Sequence, residues 1–479
     1  MDRLDALEAI ARRLDPSPEA RAALMARAVR YADAFLDSLP DRPVFVPTAD
    51  QGAGIRDLAI RDEPREFDEL LDAIARHVDR PGINPASPGH LGYIPGGGVV
   101  QAALGDFLAD ITNKYAGVFF AAPGAVRLEN LLTEWMASLV GYPASSAGNL
   151  ASGGSIANLI AIVTARDAKG VTSREVERSV VYATAHVHHS VDKALRIAGL
   201  RECPVRHVPM DARHRMDAAA LERLVEADRA AGLRPFLVVA SAGTTDAGAI
   251  DPMPAIADVA GRHGLWFHVD AAYGGFFALC EAGRRRLAGM ERSDSIIMDP
   301  HKGLFLPFGT GAVLVKDRRA VLDSHYYVAS YMQDALAARE EPSPADLSPE
   351  LTKHFRGLRL WLPLQLCGVA PFRAAIEEKM LLARYFHDRV SRLPGFEVGP
   401  EPELSIATFR YVPPRGDADA FNEALVQAVQ RDGRVFMTST RIDGRFVLRA
   451  AILVFRTHRD TIDRAIDILQ AEAARLAAG

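Results

Sequence analysis

The chain has 479 residues, of which 49% are hydrophobic and 24% charged, a composition typical of a globular protein with a large buried core and two or three domains. Its net charge of -5 argues against a nucleic-acid-binding surface, which needs clustered basic residues. Three cysteines without CxxC spacing form neither a disulfide framework nor a zinc cage. With no long apolar run and no signal peptide at the N-terminus, we expect a cytoplasmic protein without a membrane segment.

Residues 1–98 predict a helical arm that ends in a substrate-side segment. Apolar side chains recur every three or four positions at Leu4, Leu7, Ile10 and Leu14, which is the period of a helix with one apolar face. Breaks rich in proline and glycine, the last of them RPGINPASPGH, separate this arm from the main domain. The apolar stripes of the arm favour a partner that covers them.

Residues 99–357 predict a large α/β domain. A helix is expected from about Gly124 to Val140, after which apolar strands alternate with helices. The predicted strands are SVVYATA from residue 179, PFLVVASAG from 235, LWFHVDAA from 265, SIIMD from 295 and GAVLVKD from 311. This alternation favours a mostly parallel central sheet covered by helices.

Residues 358–479 predict a smaller α+β domain. Helical stretches surround the strand-like segments LSIATFRYV and RFVLRAAILVF, and an amphipathic helix is expected near 458–477. Before this domain, the segment from Ser324 to Glu350 begins with aromatic residues and continues as charged, proline-rich sequence. A long stretch of this composition inside a compact domain is typical of a functional lid or a partly disordered loop.

Reactive side chains follow four of the predicted strands at their carboxyl ends, where open α/β sheets bind ligands. They provide an acid, an amine, imidazoles and hydroxyls: Asp270, His301, Lys302, His186, His188, His189, Thr244 and Thr245. Lysine is rarely buried, so the position of Lys302 between two apolar strands indicates a functional role. Upstream, Gly153, Gly154 and Ser155 begin a predicted helix, whose free N–H groups and dipole favour a phosphate.

An amine, an acid and a phosphate cradle are together the groups that pyridoxal phosphate requires. Lys302 can form a Schiff base with the cofactor aldehyde, and Asp270 can keep the pyridine nitrogen protonated. Opposite charges about 4 Å apart are worth ~4 kcal/mol at an effective dielectric near 20, which is sufficient to keep the ring protonated near neutral pH. His188 could stack on one face of the ring, and the small Ala272 could lie beneath the other.

Plainer interpretations of the same residues stay open. Lys302 could be a surface-loop lysine, Asp270 a turn-capping acid and Gly154 part of an ordinary helix N-cap. Another histidine of HVHHS could replace His188, and His301 could satisfy a buried backbone group. A metal site built from the histidines is a further alternative, but no carboxylate or thiol stands at ligand spacing, so no metal is predicted.

The motif HVDAAYGG, followed by DPHKG, places Asp270 and Lys302 32 residues apart. This pattern resembles the group II pyridoxal-phosphate decarboxylases, the family of aromatic-L-amino-acid and glutamate decarboxylases. Six further motifs match that family in the right order: YIPGGGVVQAALGDFLADI, ASGGSIANLIAIVTAR, HVHHSVDKA, SAGTTDAGAIDP, FRGLRLWLPLQLCGV and RFVLRAAILVFRTH. The resemblance implies the fold type I architecture of pyridoxal-phosphate-dependent transferases, an amino-acid substrate and a homodimer.

The resemblance also implies a role for each matching residue. Lys302 would form the Schiff base, Asp270 would pair with the pyridine nitrogen, and His188 would stack on the ring. The other cofactor-binding residues would hold the phosphate or line the ring site: Gly154, Ser155 and His301 for the phosphate, and Thr245 and Ala272 for the ring. The catalytic residues would then be Lys302, His188 and Asp270.

Three departures from the family pattern bear on function. Many relatives have Asn where Asp299 stands, and because a carboxylate would repel a phosphate, we expect Asp299 to cap its turn or to point away. The chain has no tyrosine from Met332 to Glu350, where aromatic amino-acid decarboxylases carry the tyrosine thought to protonate the carbanion left by CO2 loss. Glycines at 96–98 alter the substrate side, so the family's side-chain preference is not transferred.

The resemblance therefore predicts a pyridoxal-phosphate-dependent decarboxylase that converts an L-amino acid to an amine and CO2, with an aromatic amino acid as one candidate substrate. Without the lid tyrosine, oxidative decarboxylation to an aldehyde is an alternative. A Cα–Cβ lyase or an aminotransferase on the same cofactor is a second alternative. A catalytically silent protein that keeps the fold as a scaffold is a third, and the presence of both Lys302 and Asp270 argues against it.

Overall fold

The computed structural model describes residues 2–326 and 341–478, over which helices alternate with strands. Most of the predicted lid, Ser324–Glu350, lies outside the described residues. The helices are Asp2–Ala11, Pro18–Asp37, Phe67–Ile74, Val100–Thr112, Pro123–Leu139, Gly154–Ala168, Ser190–Ile197, Ala218–Ala230, Met253–His263, Glu281–Arg286, Pro300–Gly303, Arg318–His325, Gly357–Cys367, Ala370–Ser391, Ala418–Asp432 and Arg459–Ala478.

The strands form one large sheet, one small sheet and an isolated pair. They are β1 (Phe45–Val46), β2 (Gly82–Ile83), β3 (Ala147–Ala151), β4 (Ser179–Ala183), β5 (Val205–His207), β6 (Arg234–Ser241), β7 (Trp266–Asp270), β8 (Ser295–Met298), β9 (Gly311–Val315), β10 (Phe396–Val398), β11 (Ile406–Tyr411), β12 (Thr438–Ile442) and β13 (Arg445–Ala451). All five predicted strands of the large domain and both predicted strands of the C-terminal region are present.

The large sheet has seven strands in the order β3-β9-β8-β7-β6-β4-β5. Strands β8, β7, β6, β4 and β5 pair in parallel, whereas β9 runs antiparallel to both of its neighbours. The interior strands β4, β7, β8 and β9 are buried along their whole length because helices cover both faces of the sheet. The prediction of a mostly parallel α/β fold is confirmed, and the carboxyl ends of β4, β6, β7 and β8 share one edge.

The C-terminal region forms a second layer structure. Strands β10, β11, β13 and β12 pair antiparallel in that order. Three helices, Ala370–Ser391, Ala418–Asp432 and Arg459–Ala478, pack on this sheet or on one another and bury an apolar core that contains Phe386 and Leu448. Among residues 2–326 and 341–478, no helix is both long enough and apolar enough to cross a membrane.

A buried ion pair joins the large sheet to the segment that follows residue 341. Lys353 Nζ lies 2.9 Å from Glu129 Oε2 and also donates to Asn149 Oδ1 and the Leu150 carbonyl, at 2.9 and 2.8 Å. Glu129 Oε1 accepts from the backbone N–H of Arg356, at 3.0 Å. Both charged side chains are buried, so each charge needs the other to offset the free-energy cost of its desolvation.

We expect Lys353→Met to lower the free energy of unfolding by about 3 kcal/mol, because it leaves the Glu129 carboxylate buried without its cation. The double variant Lys353→Met/Glu129→Gln should lose less than the sum of the two single variants, since neither charge remains. Urea unfolding followed by tryptophan fluorescence measures both effects. As a control, Arg392→Met removes the exposed Arg392–Asp388 pair and should cost less than about 1 kcal/mol. Equal costs for the buried and the exposed pair would contradict this prediction.

Candidate active site

One cavity of about 300 Å³ opens at the shared carboxyl edge of β4, β6, β7 and β8. Its wall combines residues that follow those strands with the first turn of the helix Gly154–Ala168. The lining residues are Ser152, Gly153, Gly154, Ser155, Ile156, Asn158, His186, His188, Ser190, Ser241, Gly243, Thr244, Thr245, Asp270, Ala272, Tyr273, Ile297, Asp299, His301 and Lys302. The cavity therefore lies where the strand-end rule for α/β sheets expects a ligand.

The structure brings all eight predicted site residues to this single cavity. Each of them is part of its wall: Gly154, Ser155, His188, Thr245, Asp270, Ala272, His301 and Lys302. Their roles toward a cofactor are predictions. The wall also contains residues that the sequence did not single out, chiefly Asn158, Ser190 and Tyr273.

Lys302 reaches the cavity because β8 ends at Met298 and a single helical turn, Pro300–Gly303, follows it. Proline suits the first position of that turn, since its fixed φ is helical and its missing N–H needs no partner there. The turn directs Lys302 Nζ to within 3.0 Å of Asp299 Oδ2. The lysine between two buried strands is therefore explained by its position: its amine lies in the cavity wall and forms an ion pair with Asp299.

The expectation that Asp299 caps its turn or points away is wrong. The Asp299 side chain makes no capping hydrogen bond, and its backbone carbonyl instead accepts from the N–H groups of Lys302 and Gly303, at 2.9 and 3.2 Å. The carboxylate is buried and lines the cavity beside Lys302. An ion pair with the neighbouring amine offsets the cost of burying this charge, which the sequence alone did not reveal.

Asp270 is the last residue of β7, and its carboxylate accepts hydrogen bonds from two groups. Oδ1 accepts from the backbone N–H of Ala272 and Oδ2 accepts from Asn158 Nδ2, both at 3.1 Å. A carboxylate offers about four acceptor positions, so Asp270 keeps capacity for a further donor from the cavity. This is the geometry that a protonated ring nitrogen requires of its partner.

Asn158 connects Asp270 to a second buried group. Its Oδ1 lies 2.9 Å from His268 Nε2, and because an amide oxygen only accepts, His268 carries its proton on Nε2. Burial lowers the pKa of His268 to about 4, against the opposing effect of Asp270, so this imidazole is neutral. The chain His268–Asn158–Asp270 fixes the orientation of the acid. One sequence signal was available: Asn158 follows Gly154 by four residues, which places both on one helix face.

His188 has a defined tautomer. Its Nδ1 lies 2.6 Å from Ser190 Oγ and accepts from the Ser190 N–H at 3.3 Å, while Ser190 Oγ itself accepts from Asn158 Nδ2 at 2.9 Å. The Ser190 hydroxyl therefore donates to Nδ1, and the proton of the neutral ring is on Nε2. Burial lowers the pKa of His188, although Asp270 opposes this effect, so the neutral form prevails near pH 7.

The turn between β3 and the helix Gly154–Ala168 forms one end of the cavity, where the first N–H groups of the helix could bind an anion. Because the N-cap position is Gly153, no side chain there occupies the first N–H groups of the helix. A Cβ at Gly154 would lie 3.0 Å from Asp299 Oδ2, so glycine allows the close approach of this turn. His301 Nδ1 donates to the Thr310 carbonyl at 2.6 Å, which leaves its Nε2 without a proton while the ring is neutral.

The predicted histidine cluster does not form a metal site among the described residues. The groups there whose side chains could share an ion lie outside the cavity: Asp106, Asp110 and His354, and Glu222, Glu226 and His263. His186 and His188 both line the cavity, whereas His189 packs against His188 with ring centroids 4.1 Å apart.

The residues of the cavity fit pyridoxal phosphate by their chemistry. Lys302 could supply an amine for the cofactor aldehyde, and Asp270 a carboxylate with a free acceptor position for the ring nitrogen. Gly154 and Ser155 could supply N–H groups of the first helical turn for the phosphate, since no side chain caps that turn. The neutral His188 could supply a flat ring. All of these groups line one cavity, as a single small cofactor requires.

Comparison with known proteins agrees with this fit. Residues 51–412 match the pyridoxal-dependent decarboxylase conserved domain. The chain is 33% identical to the aromatic-L-amino-acid decarboxylase of Bacillus atrophaeus, over 81% of this chain and 82% of that protein. It is 30% identical to the phenylacetaldehyde synthase of Arabidopsis thaliana, over 87% and 88%.

Among solved structures, the crystal structure of Oryza sativa TDC with PLP and tryptamine superposes with a TM-score of 0.91 at 28% identity, covering 97% of this chain and 99% of that one. The predicted fold type I architecture and the predicted cofactor are thereby confirmed. By its cavity, its architecture and its sequence, the chain belongs to the pyridoxal-dependent decarboxylase family.

Proposed function

We propose that this decarboxylase acts on aromatic L-amino acids and releases the corresponding amine and CO2. The observation that carries the proposal is the presence of the Lys302 amine and the Asp270 carboxylate in one cavity. The aromatic class is supported by the similarity to the aromatic-L-amino-acid decarboxylase of Bacillus atrophaeus and by one exposed aromatic ring near the site. Phe308 is exposed and its ring centroid lies 5.8 Å from that of His301.

When bound, pyridoxal phosphate supplies an aldehyde that condenses with amines and a ring that accepts the electron pair of a breaking Cα–carboxylate bond. Lys302 holds the cofactor and exchanges places with the substrate amine. Asp270 keeps a proton on the ring nitrogen, and Asn158 keeps Asp270 in position. His188 presents an Nε2 proton, which it can donate to carbon after CO2 departs.

The experiment is an incubation of the cofactor-loaded protein with a panel of L-amino acids. Equal amounts of CO2 and amine from phenylalanine, tyrosine, tryptophan or their hydroxylated forms would support the proposal. Amine from acidic or aliphatic substrates alone would remove the aromatic class but keep the decarboxylase. An aldehyde formed from a β-hydroxy amino acid without CO2 would select the Cα–Cβ lyase, and a keto acid without CO2 would select the aminotransferase.

A second candidate function is oxidative decarboxylation. It is favoured by the similarity to a phenylacetaldehyde synthase and by the absence of tyrosine between Met332 and Glu350 in the sequence. In that reaction the amino acid, O2 and water give the aldehyde, CO2, ammonia and H2O2. The same incubation separates the two, because peroxide and ammonia appear with the aldehyde, and removal of O2 stops product formation.

We also propose that the protein is a homodimer in which a partner covers the N-terminal helices. The helices Asp2–Ala11 and Pro18–Asp37 bury no residue within the chain. Their apolar side chains are exposed, as are those on one side of the helix Val100–Thr112: Leu4, Leu7, Ile10, Leu24 and Val29 on the arm, and Leu104, Phe107, Leu108 and Ile111 on that helix. Exposed apolar area of this extent favours an interface between copies.

We expect the wild-type protein to have twice the 51.9 kDa mass of the chain in sedimentation or light scattering. Leu7→Glu/Ile10→Glu places two charges on the apolar stripe and should shift the population toward monomer. Ile60→Glu is the matched control, because Ile60 is fully exposed outside these helices. A wild-type monomer, or a double variant that stays as dimeric as the control, would contradict the proposal.

We further propose that the protein works in the cytoplasm. All three cysteines, Cys203, Cys280 and Cys367, are free thiols, as a reducing compartment would keep them. Two of them are buried, and burial raises the pKa of Cys203 to about 11, so that this thiol resists oxidation. Fractionation of the source cells with an antibody against the chain tests the location.

A further inference from the structure

The acid beside Lys302 has an unusual environment. The Asp299 side chain is only 2% exposed, and its Oδ2 lies 3.0 Å from Lys302 Nζ and 3.6 Å from His301 Nε2. Because His301 Nδ1 donates to a carbonyl, the neutral ring offers no proton to Asp299. Asp299 Oδ1 has no hydrogen-bond partner among the described residues. Lys302 is therefore the cation that compensates this carboxylate.

Glycines on two neighbouring elements make room for this carboxylate. A Cβ at Gly311 would lie 2.8 Å from Asp299 Oδ1, and a Cβ at Gly154 would lie 3.0 Å from Oδ2. The side chain thus extends to the turn whose N–H groups face the phosphate end of the cavity. An anion here repels a second anion at the phosphate end, and the Lys302 ammonium, 3.0 Å from Asp299 Oδ2, offsets that repulsion.

We propose that Asp299 is a positioning residue that acts as the counter-ion of Lys302. It holds the free amine as an ammonium beside the phosphate turn whenever Lys302 is not bonded to the cofactor. This inference rests on the proposed role of Lys302. Cofactor capture then requires Lys302 to give up a proton before its nitrogen bonds to the aldehyde carbon, and the aldehyde oxygen leaves as water. Asp299 opposes the first step and favours the return of Lys302 to the charged form when the substrate amine takes its place.

The test compares cofactor-free wild-type protein with Asp299→Asn. Pyridoxal phosphate is added at a series of pH values, capture is followed by absorbance, and borohydride reduction with peptide mass analysis identifies the bonded lysine. We expect the variant to capture the cofactor about tenfold faster near pH 7, since an amide cannot hold the ammonium by charge. The pH profile of capture should differ between the two proteins, because the variant lacks the negative charge 3.0 Å from Lys302 Nζ. Other titratable or charged groups around this end of the cavity are unchanged: His301, His188, Asp270 and Arg359.

Inorganic phosphate provides a second measurement that does not involve the covalent step. We expect it to slow cofactor capture at several-fold lower concentration in Asp299→Asn, because one negative charge has left the phosphate end. Asp294→Asn is the matched control, since Asp294 is a half-buried acid that directly precedes β8, at the end opposite the cavity. It should behave as the wild type in both measurements. If Asp299→Asn fails to fold, Asp299→Ser removes the same charge with a smaller side chain.

An Asp299→Asn protein with the wild-type capture rate, pH profile and phosphate sensitivity would overturn the counter-ion role. If borohydride traps Lys302 in the wild type, such a result leaves the proposed function intact. If no adduct forms on Lys302 in either protein, the proposed function itself is wrong. The two failures are therefore distinguishable in one experiment.

Discussion

Lys302→Ala is expected to lower kcat for decarboxylation by a factor on the order of 10⁴, because it removes the covalent anchor and the amine that exchanges places with the substrate amine. Among the described residues that line the cavity, Lys302 is the only lysine. No neighbouring amine can therefore take over. The variant should still bind the cofactor through Asp270 and the phosphate turn, but borohydride should no longer fix the cofactor to the protein.

The measurements are turnover by CO2 release, and absorbance before and after borohydride. Lys193→Ala is the control, since Lys193 lies on the exposed side of the helix Ser190–Ile197 and outside the cavity. An added small amine, such as methylamine, should restore part of the activity of Lys302→Ala because it supplies an amine that can bond to the cofactor aldehyde and be displaced by the substrate amine. A borohydride-stable adduct at one site of the Lys302→Ala protein would show that another lysine is the anchor.

The large sheet could be predicted because the apolar, β-branched and aromatic composition of its interior strands is typical of buried strands. The segments at β4, β6, β7, β8 and β9 are rich in Val, Ile, Leu and aromatic residues, as expected of strands covered on both faces. Strand β3 was missed because its sequence, AGNLA, contains no β-branched residue. It is a strand by virtue of its pairing with β9, which is a long-range contact that no local pattern encodes.

The position of the candidate site could be predicted because the carboxyl ends of parallel strands lie at one edge of the sheet. The topology of a parallel sheet alone places Asp270, His188 and Lys302 at one edge. The partners of those residues were not predictable, because their importance depends on distances between elements. In the sequence, Asn158 has no feature that separates it from an ordinary helix residue. The structure shows that its amide hydrogen-bonds to both Asp270 and His268. The expectation for Asp299 was wrong for the same reason. Its ion pair with Lys302 depends on the direction of both side chains, which the sequence does not specify.

Asp270→Asn is expected to lower kcat/KM by about 10³-fold. A carboxylate about 4 Å from a cationic ring nitrogen contributes ~4 kcal/mol at an effective dielectric near 20, and 1.36 kcal/mol corresponds to a factor of ten. The amide introduced by this substitution keeps a similar shape and can still accept from the N–H of Ala272, but its NH2 group then faces the donor Asn158 Nδ2, so the loss includes that hydrogen bond as well as the charge. Asn158→Ala should have a smaller effect, roughly tenfold, because it loosens the acid without removing it.

A cofactor analogue makes this prediction specific to the ring nitrogen. In the 1-deaza analogue of pyridoxal phosphate, carbon replaces that nitrogen and no proton can be held there. The wild-type protein should lose most of its activity with the analogue, and Asp270→Asn should lose little more, since both changes remove the same interaction. Asp294→Asn serves as the control for a half-buried acid outside the cavity. If the two losses instead multiply, Asp270 acts on some other group, and the acid at the end of β7 would be supporting His188 and not the cofactor ring.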